Sequence, residues 1–358
     1  MHPTWNTIVK FIPNWIAPNL LTFAGFMCMV IDALLLSYYD YDFTASGKPE
    51  GYEAGGREMS DWVLTVCGVL LFLAYNLDGV DGKQARKIGV SGPLGELFDH
   101  GLDSYIVFLI PFSLISVFGR DEYSLSIFRG YLVVMSIVLN FYVSHCEKYT
   151  TGTLYLPWGY DLSMWVATLL FLVGGIKGPS VYKYHVLPGI TFVQVLEVAI
   201  HGTGLFTTLP VAIYNVYLFR KNAKGKKKSL IEVLRPTWSM LLMTSLMTFW
   251  GLQTPNNIVE NDPRAFLLLF GTLFSNIASR LIVSEMSSQR CEAVCWLFWP
   301  LLAGVSLSFY QPHLETSCLY ALLVLSILAH VHYGMCVVRQ ICKYYNINCF
   351  RVPRSKQK

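Results

Sequence analysis

The sequence predicts an all-α, polytopic integral membrane protein of about ten transmembrane helices, preceded by an N-terminal interfacial amphipathic helix. Three observations carry this. First, 54% of the 358 residues are hydrophobic, 15% are aromatic and only 14% are charged, with a mean hydropathy of +0.45. No single soluble core absorbs that much apolar surface. Second, the apolar residues gather in long Phe, Leu and Val runs of helical length, not in the short alternating segments of a transmembrane barrel. Third, the basic residues divide unevenly between the two ends of those runs, as a positive-inside topology requires.

Taken in order, residues 2–15 mix Trp5, Ile8, Val9, Phe11, Ile12 and Trp15 with Asn6 and Lys10. That is the composition of a helix lying in the membrane interface, and it lacks the pattern of a cleavable signal. Apolar spans follow at 17–39, 62–77, 97–118, 127–144, 162–176 and 190–219. Four more lie at 236–252, 265–284, 293–309 and 314–338. Residues 220–229 form a basic hinge between the sixth and seventh spans, suited to anionic lipid headgroups. The chain thus divides into an interfacial helix (1–16), a six-helix core (17–219), a basic linker (220–235), four C-terminal helices (236–342) and a basic tail (343–358).

With the N-terminus in the cytosol, 19 of the 27 Lys and Arg residues fall on the cytosolic side, 7 fall opposite and Arg280 lies within a span. An odd number of spans breaks this bias. The nine cysteines show neither CxxC nor His-rich spacing. Most lie in or beside spans, among them Cys28, Cys67, Cys295, Cys318 and Cys336, so packing is a better reading than a disulfide or zinc.

Into this apolar frame the chain sets Asp78-Gly79-Val80-Asp81-Gly82-Lys83-Gln84-Ala85-Arg86, then Gly95, Asp99 and Asp103. The spacing is D-x2-D-G-x2-A-R-x8-G-x3-D-x3-D. The second span runs into the motif and the third begins inside it, which places it at one membrane face. If both arms are helical, Asp78 and Asp81 share one face, as do Asp99 and Asp103. Two facing carboxylate pairs make a cage of hard oxygen ligands suited to Mg2+ or Mn2+. Charges at membrane depth need a partner, an ion or a water-filled cavity, so four together mark a site.

Blander readings compete. A transporter also hides carboxylates at depth, but the glycines and the pairing on adjacent helices disfavour it. An EF-hand needs alternating ligands over twelve residues. Glu197 and His201, four apart, read as a buried hydrogen bond before a metal site. Asp32, Asn276 and Arg280 read as polar contacts between helices. Residues 149–160 read as a loop over the site, or as simple interfacial anchoring by Trp158 and the tyrosines.

The motif resembles, residue for residue, the signature of the CDP-alcohol phosphotransferase family. Asp78, Asp81, Gly82, Ala85, Arg86, Gly95, Asp99 and Asp103 each fall on a signature position. The flanks Leu77-Asp78-Gly79-Val80-Asp81 and Pro93-Leu94-Gly95-Glu96-Leu97-Phe98-Asp99-His100-Gly101-Leu102-Asp103 look like its choline/ethanolamine phosphotransferase branch. The resemblance implies an enzyme that transfers phosphoethanolamine from CDP-ethanolamine to diacylglycerol, giving phosphatidylethanolamine and CMP. A choline-specific or dual-specificity enzyme is the alternative within the branch; a transporter or non-catalytic scaffold is the alternative outside it.

By the same resemblance Asp78, Asp81, Asp99 and Asp103 hold two Mg2+ or Mn2+ ions, which clamp the diphosphate. Gly82 and Ala85 leave room for the cytidine, Gly79 and Gly95 keep the backbone close, and Arg86 pairs with a phosphate or the nucleotide. Asp78 borders the nucleotide too. His100 is favoured over Asp103 as the base, because a carboxylate bound to metal is a poor proton acceptor. Glu96, one turn from Asp99 and His100, meets the ethanolamine ammonium or steadies the helix. The implied partners are CDP-ethanolamine, diacylglycerol and membrane lipids, with no nucleic acid. The implied assembly is a homodimer in the endoplasmic reticulum or another endomembrane, its active site facing the cytosol.

Overall fold

The computed structural model describes residues 2–48, 59–155, 159–222 and 228–353. An interfacial-type helix α1 (His2–Phe11) leads to α2 (Pro18–Tyr39), α3 (Asp61–Ile88), α4 (Pro93–Phe118), α5 (Ile127–Thr151) and α6 (Gly159–Lys177). A 3-10 turn (Pro179–Tyr182) and a small antiparallel hairpin, β1 (His185–Leu187) and β2 (Ile190–Thr191), precede α7 (Phe192–Thr203). A π turn (Gly204–Thr208) joins α7 to α8 (Leu209–Asn222). The remaining helices are α9 (Leu230–Gln253), α10 (Ile258–Asn261), α11 (Pro263–Met286), α12 (Phe298–Tyr310) and α13 (Glu315–Tyr345).

Each apolar span read from the sequence contains a helix, although the spans at 190 and 293 begin in a strand and in a turn. Among the described residues, eight segments are long and apolar enough to cross a membrane. The other two expected spans are α9 and α12. α9 has the length, at 24 residues, but Thr, Ser and Trp dilute its apolar character. α12 has 13 residues, short of the roughly 20 that one crossing needs. The sixth span starts two residues later than expected, because Ile190 and Thr191 pair with β1. Thr191 then caps α7 in a reciprocal box with Gln194, which satisfies two orphan N–H groups. Residues 223–227 of the basic hinge, residues 354–358 of the tail and Trp158 lie outside the described residues.

The helix ends emerge alternately on two faces, each tied by polar contacts. On one face Asn19 of α2 donates to the Cys349 carbonyl (3.0 Å), Lys148 of α5 pairs with Glu285 of α11 (3.0 Å), and Tyr149 donates to Glu232 of α9 (3.1 Å). On the other, Arg264 of α11 donates to the Asp40 carbonyl (2.8 Å), Tyr41 and Tyr320 donate to Asp262 (2.7 and 2.8 Å), and Trp250 donates to Glu315 (2.8 Å). Arg264, one of the seven basic residues counted opposite the cytosol, is buried in the first turn of α11. Its guanidinium lies 4.0 Å from the centroid of the Phe43 ring and 5.1 Å from that of Phe112.

The core sits around α11, which packs against α4, α5 and α13. Phe266 and Phe270 of α11 meet the Tyr131 ring of α5 edge-on at 5.5 and 5.0 Å. Outward-facing Leu, Val and Phe on α2, α8 and α13 stay exposed, as expected of surfaces that lipid covers, since every backbone polar group within such a helix is satisfied internally.

Candidate active site

Both halves of the acidic motif are helical, which the pairing of its carboxylates requires. α3 continues from its apolar part through Asp78 and Asp81 to Ile88, and Gly89 in the left-handed region (φ 65°) ends it. Gly89 closes the helix by donating to the Ala85 and Arg86 carbonyls, a glycine C-terminal cap. After a short connection α4 starts with Pro93 in its first turn, where the missing N–H costs nothing. The two arms therefore run antiparallel.

This brings the four carboxylates together in two overlapping groups. One oxygen each from Asp78, Asp81 and Asp99 lies within 4.8 Å of the others, and so do single ligand atoms of Asp99, His100 and Asp103. Asp99 belongs to both. Thr22 of α2 donates a hydrogen bond to Asp81, and Tyr160 of α6 donates to Asp78 at 3.2 Å. Among the described residues, no Lys or Arg forms an ion pair with any of the four. Clustered carboxylates at membrane depth with no cationic side chain between them suit divalent cations, the hard ions that oxygen cages hold.

The motif glycines serve different ends. A Cβ on Gly82 meets only the Arg86 guanidinium, 3.5 Å away, and one on Gly95 meets only Asn19 Oδ1 at 3.8 Å. Both therefore border open space, with Ala85 half-buried between them and Arg86 exposed. A Cβ on Gly79 strikes the Trp5 indole. The close approach at Gly79 is thus made by α1, whose Trp5 also donates to Asn76 (3.2 Å). Lys83 and Lys87 of the motif helix hold the same strap, donating to Asn6 (2.7 Å) and to the Val9 and Ile12 carbonyls (3.0 and 2.7 Å). Gly79→Ala is expected to destabilise the protein by about 1–3 kcal/mol through overpacking. Melting of Gly79→Ala, Trp5→Ala and the double variant tests it: the double should melt higher than the two single effects predict, whereas simple additivity refutes the contact.

His100 stands beside Asp99 with its ring edge-on to His145 of α5, centroids 5.5 Å apart. His145 is buried and packs on Phe141 at 4.5 Å. Glu96, one turn before Asp99, accepts from Lys148 at 2.5 Å, and the same ammonium pairs with Glu285 at 3.0 Å. Lys148, assigned from sequence to the cytosolic charge belt, is buried at the end of α5.

Thr22, His145, Lys148, Glu285 and Trp5 escaped the sequence reading as parts of the site. Each lies far from the motif in sequence, on α2, α5, α11 or α1, and helix pairing has no local signature. Tyr160 fell within the segment read as a loop over the site; it is in the first turn of α6. Away from the motif, Glu197 is held by Arg129 in a two-pronged pair, Nε to Oε1 at 3.0 Å and Nη2 to Oε2. That pair replaces the Glu197 and His201 contact expected from their spacing. Asn276 accepts from Arg280 at 3.0 Å, a polar contact within α11.

Comparison with known proteins agrees with the motif. The CDP-alcohol phosphatidyltransferase profile matches residues 15–173. Mouse ethanolaminephosphotransferase 1 is 43% identical over 360 residues, covering 99% of this chain and 89% of the mouse protein. The human protein of that name is 41% identical over 359 residues, with the same coverage. Choline/ethanolaminephosphotransferase 1 of Arabidopsis thaliana is 26% identical over 380 residues, covering 99% of this chain and 92% of the plant protein. A profile anchored on α2 to α6, together with similarity that runs the length of the chain, sets the carrier and scaffold readings aside: the chain belongs to the CDP-alcohol phosphatidyltransferase family and is a membrane-embedded transferase.

Proposed function

We propose that the protein transfers phosphoethanolamine from CDP-ethanolamine to diacylglycerol, giving phosphatidylethanolamine and CMP. The observation that carries this is the pair of overlapping acidic groups that share Asp99, set beside the open space at Gly82 and Gly95. Similarity of 43% to a relative named for ethanolamine, against 26% to one named for choline and ethanolamine, favours ethanolamine as the headgroup.

In this reading the diacylglycerol hydroxyl oxygen attacks the phosphorus that bears ethanolamine. The bond from that phosphorus to the oxygen bridging it to CMP breaks, and CMP leaves with the electron pair. His100 takes the hydroxyl proton. Its place one residue after Asp99 puts a nitrogen lone pair beside the reacting groups, where a base must lie. Asp78, Asp81, Asp99 and Asp103 would hold two Mg2+ or Mn2+ ions, which when bound neutralise the diphosphate and the charge that grows on the leaving oxygen. Arg86, folded over Gly82, reaches the phosphates or the nucleotide. Thr22 and Tyr160 orient Asp81 and Asp78, as outer partners of a ligand do.

The basic bias of the face that carries the site supports a cytosolic orientation for it. By resemblance to the family, we propose that the protein works as a homodimer in the endoplasmic reticulum or another endomembrane.

Release of CMP decides the reading. Purified protein in diacylglycerol-containing vesicles with Mg2+ is expected to release CMP from CDP-ethanolamine, faster than from CDP-choline, and to stop on chelation. Equal rates with both nucleotides indicate a dual enzyme. No CMP release from either refutes the transferase assignment.

A further inference from the structure

A primary ammonium already sits between two carboxylates at the edge of the proposed catalytic centre. Lys148 Nζ lies 2.5 Å from Glu96 Oε1 and 3.0 Å from Glu285 Oε2. The three residues come from α4, α5 and α11. Glu96 is one turn before Asp99 and His100; the charges of Lys148, Glu96 and Glu285 all act on His100, and those of Glu96 and Lys148 act on Asp99. The bridge therefore adjoins the place where the ethanolamine phosphate must lie for His100 to serve as base.

We propose that the Glu96–Lys148–Glu285 bridge is the headgroup-reading subsite, which binds a primary ammonium and discriminates against a trimethylammonium. This rests on the transferase reading above. Charge is one reason. Two carboxylates share one ammonium and keep one negative charge over, which a second cation neutralises. Access is another. The Lys148 side chain is 8% exposed, whereas that of Glu96 is 43% exposed, so Glu96 has lone pairs free to accept beside Lys148; a carboxylate accepts about four hydrogen bonds.

Donor chemistry supplies the selectivity. The ethanolamine ammonium offers three N–H donors and can repeat the short contacts that Lys148 makes, the stronger charge-assisted kind. A trimethylammonium has no N–H, and its methyl groups keep the nitrogen beyond hydrogen-bond reach. Such groups are recognised by aromatic faces, and the bridge offers carboxylates instead. Lys148, buried and held at both ends, also fills space that a bulkier headgroup needs.

The test separates binding from turnover, using the full chain in lipid nanodiscs with Mg2+. Dissociation constants for CMP, CDP-ethanolamine and CDP-choline are measured for the wild type, Glu96→Gln and Glu285→Gln. Each variant is expected to lose about tenfold in affinity for CDP-ethanolamine, the worth of a charge-assisted hydrogen bond, while CMP binds as before and CDP-choline changes by less than about threefold. An unaltered preference between the two CDP-alcohols overturns the proposal, and so does an equal loss for CMP, which marks a merely structural role. Wild-type CMP release in the same nanodiscs reports on the transferase reading separately. Headgroup-dependent binding without turnover sinks that reading and leaves the subsite standing; turnover with unchanged preference in the variants does the reverse.

Discussion

Asp99→Asn is expected to abolish CMP release, by about 10³-fold or more, because the several kcal/mol that metal ions contribute to transition-state charge depend on this residue. The reason is its place in the cluster. Asp99 shares close approach with Asp78 and Asp81 on one side and with His100 and Asp103 on the other, so its loss weakens both groups, whereas Asp81→Asn touches one. A carboxamide keeps the volume and removes the charge. Four carboxylates crowded together repel one another when no cation is present, so the variant should fold and insert at least as well as the parent. Two measurements check this together. Mg2+ is expected to raise the melting temperature of the wild type, as any ligand of the native state does, and to leave that of Asp99→Asn nearly unmoved. Turnover above a few per cent of wild type at saturating Mg2+ removes Asp99 from the metal site.

The helices were legible because a membrane span is written locally. Some twenty apolar residues in a row need no tertiary knowledge to be read as helix, and each such run contains a helix here. The acidic cluster was legible for a related reason. Its four carboxylates lie within 26 residues of chain on two consecutive helices, and the spacing of each pair equals about one helical turn. Once Gly89 and Pro93 set the turn between the arms, little else is needed to bring the pairs together.

What surrounds the cluster was not legible, and the reason is topological. Lys148, Glu285 and Tyr160 reach it because α5, α6 and α11 pack around the motif, and no spacing rule relates residue 96 to residue 285. Charge counting treated Lys148 as one more cytosolic lysine, since its two carboxylate partners lie on other helices. Gly79 shows the limit in another form. It was read as keeping the backbone close at the site, and the close approach there is made by the indole of Trp5. A glycine announces a close approach, and only the fold says by what. Short α12 and the early strand at Ile190 departed from the expected spans because hydropathy alone cannot tell an apolar strand or turn from the start of a helix.

Proton acceptance is the step on which His100 and Asp103 part. Both belong to the second ligand group with Asp99, so proximity does not choose between them. Chemistry favours His100 under the proposed roles: a carboxylate that would give its lone pairs to a metal has low basicity, while a neutral imidazole beside it keeps a free lone pair. His100→Ala is therefore expected to slow CMP release by about 10² to 10⁴, the usual worth of a positioned base, with CDP-ethanolamine affinity and Mg2+ dependence little altered. Asp103→Ala is expected to lose rate and metal affinity together, its Mg2+ titration moving to higher concentration because a ligand is gone. His145, edge-on to His100 and buried against Phe141, holds the imidazole in place, so His145→Ala should fall between the wild type and His100→Ala. Titrating Mg2+ against both nucleotide binding and turnover for the three variants separates the roles. Near-normal turnover in His100→Ala moves the proton to Asp103, Glu96 or a water, and makes His100 a packing partner of His145.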